Sequence, residues 1–219
     1  MEARSLTSDE FREVISHFAS GVTVITALRD GRPYGTTASA VTSLSLEPPM
    51  LLVCMNKQSE TGRAVAASKR FGVNVLGANQ VDLAERFAKK GGDKFAGVPV
   101  TPGKWDEPLF DDALATLECR VAEETTGGTH YVFLAEVDSG AARGGTPLAY
   151  FKGEFGRLEL TRDQLEHRAA DALEDELQAA DADLAAAIDR GDLPAALAAI
   201  DARRERMIAI ARERIAGGA

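Results

Sequence analysis

Apolar residues fall along this chain in two rhythms, and the change between them divides it. Thr7 and Glu10 have capping-box spacing and precede Phe11, Val14, Ile15 and Phe18 at helical intervals, so a short amphipathic helix begins the fold. Val22 to Leu28 is rich in β-branched residues and reads as a strand. Asp30-Gly31-Arg32-Pro33 supplies turn chemistry, making this strand and the next, from Tyr34, a hairpin. The second arm, GTTASAVTSLSLEPP from Gly35 to Pro49, ends at two prolines that cannot donate to a ladder. Met50 to Met55 is a buried strand by its apolarity, Ala64 to Ser68 a helix, Phe71 to Leu76 a strand and Val81 to Lys89 a helix broken by Gly91-Gly92-Asp93. Gly97 to Asp112 is loop-like. Leu114 to Glu124 and Tyr131 to Ser139 are strands joined by a Thr125 to Thr129 turn, and Pro147 to Phe151 and Glu154 to Leu160 complete an antiparallel set. Many short strands with a few helices between them predict a small barrel, mainly β.

After Leu160 the period becomes helical. Thr161 and Gln164 form a second capping box, and Ala170, Leu173, Leu177, Ala180, Leu184 and Ala187 follow at three-and-four spacing. Gly191 ends that helix, Asp192 is placed to cap the next, and Pro194 is tolerated in its first turn. Leu197, Ile200, Met207, Ala211 and Ile215 make its apolar stripe. The expected organisation is a domain over residues 1–160 and a helical hairpin over 161–219. The hairpin's narrow apolar seam is to be buried against itself, the barrel or a second subunit.

Composition removes several partners. A net charge of −9 repels phosphodiester backbones and anionic lipid, so no nucleic-acid or membrane partner is expected. The hairpin's arginines, Arg203 to Arg214, are interleaved with Asp201, Glu205 and Glu213, which makes an ion-paired solvated face. Cys54 and Cys119 lie far apart without metal-ligand spacing. The longest apolar run is too short for a bilayer and the first residues are not signal-like, so a cytoplasmic protein is expected.

Two stretches carry candidate chemistry. Thr36, Thr37, Ser39, Thr42, Ser43 and Ser45 crowd six hydroxyls into a strand-like segment where Ala38 and Ala40 leave gaps, so a flat ligand could lie close to the backbone. Asn56-Lys57-Gln58-Ser59-Glu60-Thr61-Gly62-Arg63 runs from a strand into a helix, where free N–H groups beside hydroxyls suit a phosphate. Ser59 or Thr61 acting only as a cap is the simpler alternative. Asn74 reads as a satisfied core amide. His130, just past a glycine pair, can bring an imidazole to the rim of a pocket.

Eight pieces in order, GVTVIT (21–26), GTTASAVTSLSLEPP (35–49), VCMNKQSET (53–61), FGVNVL (71–76), AERFA (84–88), DKF (93–95), THYVFLAEV (129–137) and PLAYFKGEFG (147–156), resemble the short-chain flavin reductases. These are the reductase components of two-component flavin monooxygenases. The resemblance covers about Phe11 to Leu160 and leaves the hairpin outside it. It implies an FMN-binding split β-barrel, usually a homodimer, that uses FMN or FAD with NADH or NADPH as hydride donor and serves a flavin-dependent monooxygenase. By the same resemblance Thr37, Ala38 and Ser39 contact the ring, and Asn56, Lys57, Ser59 and Thr61 hold the phosphate. His130 and Tyr150 lie on the nicotinamide side, with Phe87 a further ligand contact. The family's acidic residue before the histidine is here Thr129, which bears on nicotinamide handling. Hydride transfer is carried by the cofactors, so no side chain is assigned as catalytic and no metal is implied. The alternative is a flavin-binding sensor or scaffold without turnover, with the hairpin as its working surface.

Overall fold

The computed structural model describes residues 5–159 and 182–216, which fall in two compact units, Met1–Glu159 and Leu160–Ala219. In the first, helix α1 (Ser8–Ile15) precedes strands β1 (Ser20–Gly21), β2 (Thr23–Arg29), β3 (Arg32–Ala38), β4 (Val41–Leu46) and β5 (Pro49–Asn56). Helix α2 (Glu60–Ser68), β6 (Arg70–Val75) and helix α3 (Val81–Ala88) follow, then β7 (Val100–Pro102), β8 (Pro108–Phe110), β9 (Ala115–Gly127), β10 (His130–Ala142), β11 (Leu148–Phe151) and β12 (Glu154–Arg157).

Seven strands form one antiparallel sheet in the order β3-β2-β6-β9-β10-β5-β4. Its two terminal strands are consecutive in sequence. β3 ends at Ala38 and β4 begins at Val41, so three Cα steps, at most about 11 Å, separate the opposite ends of the sheet. The sheet must therefore curl on itself into a barrel whose seam, between β3 and β4, is crossed by the chain instead of by a ladder. The hydroxyl-rich segment is thus two strands rather than the single hairpin arm expected from its pattern. Asp30 and Gly31, with φ of 55° and 71°, make the tight turn from β2 to β3 that puts Arg29 opposite Arg32.

Alternation along β2 supplies two cores. Ile25 and Ala27 point into the barrel with Val53, Met55, Phe71, Val73, Cys119, Phe133 and Ala135, beneath Ala64 and Val65 of α2. Val22 and Val24 point outward into a second cluster with Leu76, Ala84 and Phe87 of α3, Phe110 and Leu148. A strand buried on both faces needs apolar residues at nearly every position, which is why VTVITAL shows no polar alternation. Gly35 lets α3 approach β3, because a Cβ there would lie 2.4 Å from Phe87 Cε1.

Three features depart from the pattern. Gly97 to Asp112 contains the β7-β8 hairpin, too short for its apolar residues to show a period. The β9-β10 turn is only Gly128-Thr129, since Gly127 pairs with His130. β11 and β12 leave the barrel and join β1 in a separate three-stranded sheet, fastened through the Val22, Leu76 and Leu148 backbones. Asn74 is a satisfied core amide, fully buried: its Nδ2 donates to Val24 O at 3.1 Å and its Oδ1 accepts from Phe110 N at 2.7 Å.

In the second unit, helix α4 (residues 182–189) and helix α5 (Leu193–Ala216) are joined by a turn at Gly191, with Ala195 N donating to the Asp192 side chain at 3.1 Å as an N-cap. Ala187 and Ala196 are buried, whereas Leu197 and Ile200 of the expected seam are exposed. The Thr161-Gln164 capping box and the stripe from Ala170 to Ala180 lie outside the described residues, as do the side chains of Met207, Ala211 and Ile215.

Glu107, 1% exposed, is the buried acid of the barrel. Its Oε2 accepts from Trp105 N at 3.0 Å, while Oε1 has no hydrogen-bond partner. Burial first, and then the charge of Glu118, push its carboxyl above the usual range, against backbone hydrogen bonds and Arg70. When the folded-state pKa is the higher one, both states are protonated at low pH and stability falls as pH rises through the interval. Glu107→Gln removes that loss. Thermal melts of this variant should exceed wild type at neutral pH and converge with it near pH ~4.

Candidate active site

The end of the barrel near the seam collects the residues that carry chemistry. Ala40, at the crossing, accepts from Cys54 N at 3.0 Å, and Cys54 lies two residues before Asn56 at the end of β5. Asn56 in turn pairs with His130 at the start of β10. The ring-side stretch, the phosphate-side stretch and the histidine therefore share one end of the barrel, on three chain segments that sequence separation alone would not relate.

On β3, which pairs along one edge only, Thr37 donates its hydroxyl to Ala84 O of α3 at 2.6 Å. Thr37 thus ties the strand to the helix and keeps its lone pairs for a ligand. Ala38 is half-buried, and its carbonyl accepts from the Thr23 hydroxyl at 2.7 Å. Ser39 is exposed at the crossing.

On the phosphate side, Asn56 Oδ1 accepts from Gln58 N at 2.8 Å, shaping the turn into α2. Ser59 is the N-cap, with extended backbone and an Oγ that accepts from Gly62 N at 3.3 Å, while its carbonyl accepts from Arg63 N at 3.1 Å. These bonds satisfy the third and fourth N–H groups and leave those of Glu60 and Thr61, the first two residues of α2, without a partner inside the helix. Thr61, which carries the second of those donors, is 3% exposed. Gly62 permits the tight start, since a Cβ there would lie 2.9 Å from Asn56 O. Two free N–H groups, a hydroxyl and a positive helix end form a donor set that suits a phosphate monoester. The tail of a flavin nucleotide fits this seat.

Lys57 points away from a simple capping role: its backbone N–H donates to Thr129 O at 3.1 Å and its ammonium to Gly128 O at 2.9 Å. His130 is half-buried, its Nδ1 2.9 Å from Thr129 Oγ1. Tyr150 lies 37% exposed on β11 opposite Ser20, three residues ahead of Thr23, which pairs with Ala38. Its ring packs against Phe155 at 5.3 Å between centroids. Phe87 is fully buried between Phe95 and Phe110 and offers no surface to a ligand, because the Gly35 gap it fills is internal.

Lys94 was not singled out by its pattern. Its ammonium donates to Gly35 O at 3.2 Å and Phe87 O at 3.0 Å, stapling the α3 end to the ring-side strand. Burial pushes its pKa below the usual lysine range, partly offset by the nearby Glu60. Lys94 lies in the DKF piece (93–95), but nothing in that piece indicates the staple to β3. Among the described residues no group of three or more His, Cys, Asp or Glu is placed to hold a metal, and no helix is long and apolar enough to cross a membrane.

The class of fold is a split antiparallel barrel whose seam is crossed by the chain, with two helices packed on it. Residues 15–159 match the family described as flavin reductase-like domain, and the chain belongs to it. It is 50% identical over 70% of its length, and 82% of the relative's, to the reductase component of a 4-nitrophenol 4-monooxygenase/4-nitrocatechol 2-monooxygenase from Rhodococcus opacus. It is 36% identical, over 71% of its length and 84% of the relative's, to a flavin reductase (NADH) from Kitasatospora aureofaciens. The structure of an NADH:FAD oxidoreductase from Streptomyces globisporus with NAD and FAD fragments superposes with a TM-score of 0.68 at 32% identity, covering 73% of this chain and 99% of that one. The enzyme class is NAD(P)H:flavin oxidoreductase, on a split-barrel fold.

Ser59→Ala removes the cap bond to Gly62 and should cost about 1 kcal/mol in urea unfolding. A loss within a few tenths of zero would show that the Ser59 hydroxyl contributes no cap.

Proposed function

We propose that this protein accepts hydride from NADH or NADPH onto FMN or FAD and supplies the reduced flavin to a separate flavin-dependent monooxygenase. The observation that carries the reading is the join of three segments at the barrel seam: the Ala38-Ser39-Ala40 crossing bonded through Ala40 O to Cys54 of β5, the open α2 start, and His130 across from Asn56. A bound flavin supplies the hydride-accepting ring. The chain's residues seat and orient it. N–H groups of Glu60 and Thr61, with the Ser59 and Thr61 hydroxyls, Asn56 and the Lys57 charge, hold the phosphate. The backbone around Thr37, Ala38 and Ser39 lies along the ring and offers fixed donors to its polar edge, where negative charge grows on reduction. His130 and Tyr150 lie to the nicotinamide side as positioning groups. No protein acid or base is required.

The working unit is a homodimer in the cytoplasm. In support, the apolar face of α1 is bare, with Phe11 56% and Val14 57% exposed, Phe18 just beyond the helix is 71% exposed, and Leu46 on the terminal strand β4 is 85% exposed. Exposed apolar side chains of this kind mark surface suited to a protein partner, and a second copy of the chain is the proposed one. Both cysteines are free, which fits a reducing compartment. Sedimentation of Phe18→Asp/Leu46→Asp should shift toward monomer. An unchanged dimer would place the interface elsewhere.

NADH oxidation, followed by loss of its absorbance with and without FMN, tests the activity. Turnover should rise and saturate with added flavin, and riboflavin should bind at least about tenfold more weakly than FMN for want of the phosphate's charge-assisted hydrogen bonds. Tight flavin binding with no NADH turnover would instead support a scaffold or sensor.

A further inference from the structure

Lys57 sits between the two halves of the site. The strand β5 ends at Asn56, and α2 is capped at Ser59, so Lys57 belongs by sequence to the phosphate seat. Both of its nitrogens nevertheless donate to a different segment. The backbone N–H reaches Thr129 O and the ammonium reaches Gly128 O, the only two residues of the β9-β10 turn. That turn is the tip of a hairpin with thirteen-residue arms, and Ala122 to Thr129 are all exposed. A long exposed tip frays unless something crosses it. β10 pairs with β5 up to His130 and Lys69 holds Glu124 on the β9 arm, while at the turn itself Lys57 is bonded to both carbonyls.

The next residue after the turn is His130, whose backbone is in register with Asn56 and whose Nδ1 lies against the Thr129 hydroxyl. Holding Gly128 and Thr129 therefore restrains the His130 ring through its Nδ1 contact, and Nε2 makes no hydrogen bond among the described residues. An ammonium carries three donors. One is spent on Gly128 O, and Lys57 itself stands two positions before the Ser59 cap of α2.

We propose that Lys57 is a positioning residue that couples the flavin-phosphate seat to the histidine turn, so that one side chain holds His130 in place for the nicotinamide while facing the flavin tail. This rests on the flavin reductase reading of the site. It makes nicotinamide binding sensitive to a residue that the phosphate pattern alone would assign to flavin affinity.

The test compares wild type with Lys57→Met, which keeps the aliphatic stem and removes the donors, and Lys57→Arg, which keeps them. With FMN saturating for each variant, the KM for NADH of Lys57→Met should rise about three- to tenfold with a smaller change in kcat, as loss of one charged hydrogen bond implies. Lys57→Arg should recover most of that loss. In a His130→Ala background the same Lys57→Met change should leave KM unaltered, because the lysine acts through the histidine. A wild-type KM for NADH in Lys57→Met, with the whole effect confined to FMN affinity, would overturn the proposal. A second readout does not depend on turnover: amide hydrogen exchange at Thr129 to Tyr131 in the flavin-free protein should quicken in Lys57→Met. Unchanged exchange would overturn the clamp even if wild type proved unable to oxidise NADH, an outcome that would by itself refute only the reductase reading.

Discussion

Closure of the barrel through the Ser39-Ala40 crossing is the constraint on which the rest of this protein depends. Two strands at opposite ends of a seven-strand sheet are tied by two residues, so the sheet cannot lie open. A chain crossing in place of a ladder leaves a seam with unpaired backbone groups along β3 and β4. Unpaired groups are costly when buried and useful when a ligand can meet them. The crossing also brings Ala40 to Cys54, and thereby brings the segment that follows Cys54 to the ring-side strand.

The two helices packed on the barrel serve this arrangement from opposite sides. α2 covers the interior through Ala64 and Val65, and its first turn, tightened by Gly62, directs unpaired N–H groups outward beside Asn56. α3 covers the outer face of β2 and is held to β3 by three contacts: Phe87 in the gap at Gly35, the Thr37 hydroxyl on Ala84 O, and the Lys94 ammonium on Gly35 O and Phe87 O. Small residues and hydroxyls in β3 are therefore partly structural. The same scarcity of side-chain bulk that admits α3 on one face keeps β3 thin at Ala38.

Polar groups in the interior are few and are paired in a way that ties loops to the sheet. Thr26 and Asn74 fasten β8 to the barrel through Pro108 O and Phe110 N. Among the described residues three buried side-chain atoms stay without a hydrogen-bond partner: Glu107 Oε1, Arg70 Nη1 and Trp105 Nε1. With the Arg70 guanidinium stacked at 3.7 Å on Trp105 and Glu118 adding to the raised Glu107 pKa, they concentrate electrostatic cost at the β7-β8 hairpin.

Much of the architecture was legible in the chain because it rests on local rules. The capping box at Thr7 and Glu10, the turn at Asp30-Gly31, the cap at Ser59 and the buried amide of Asn74 follow from residue type and short spacing, and the run of matching motifs pointed to the flavin reductase family. The split of the hydroxyl-rich segment into two strands was not legible, since Ser39 and Ala40 carry no turn chemistry and only the long-range order of the sheet separates β3 from β4. Nor were the burial of Phe87, the staple made by Lys94 or the attachment of Lys57 to Gly128, each of which joins residues far apart in sequence. Sequence by itself determined where the chain turns, which faces are apolar and which donors are on offer, because those depend on neighbours a few residues away. Tertiary structure alone decided which donors are already spent and which remain for a ligand, because a hydrogen bond is allotted only when distant segments meet.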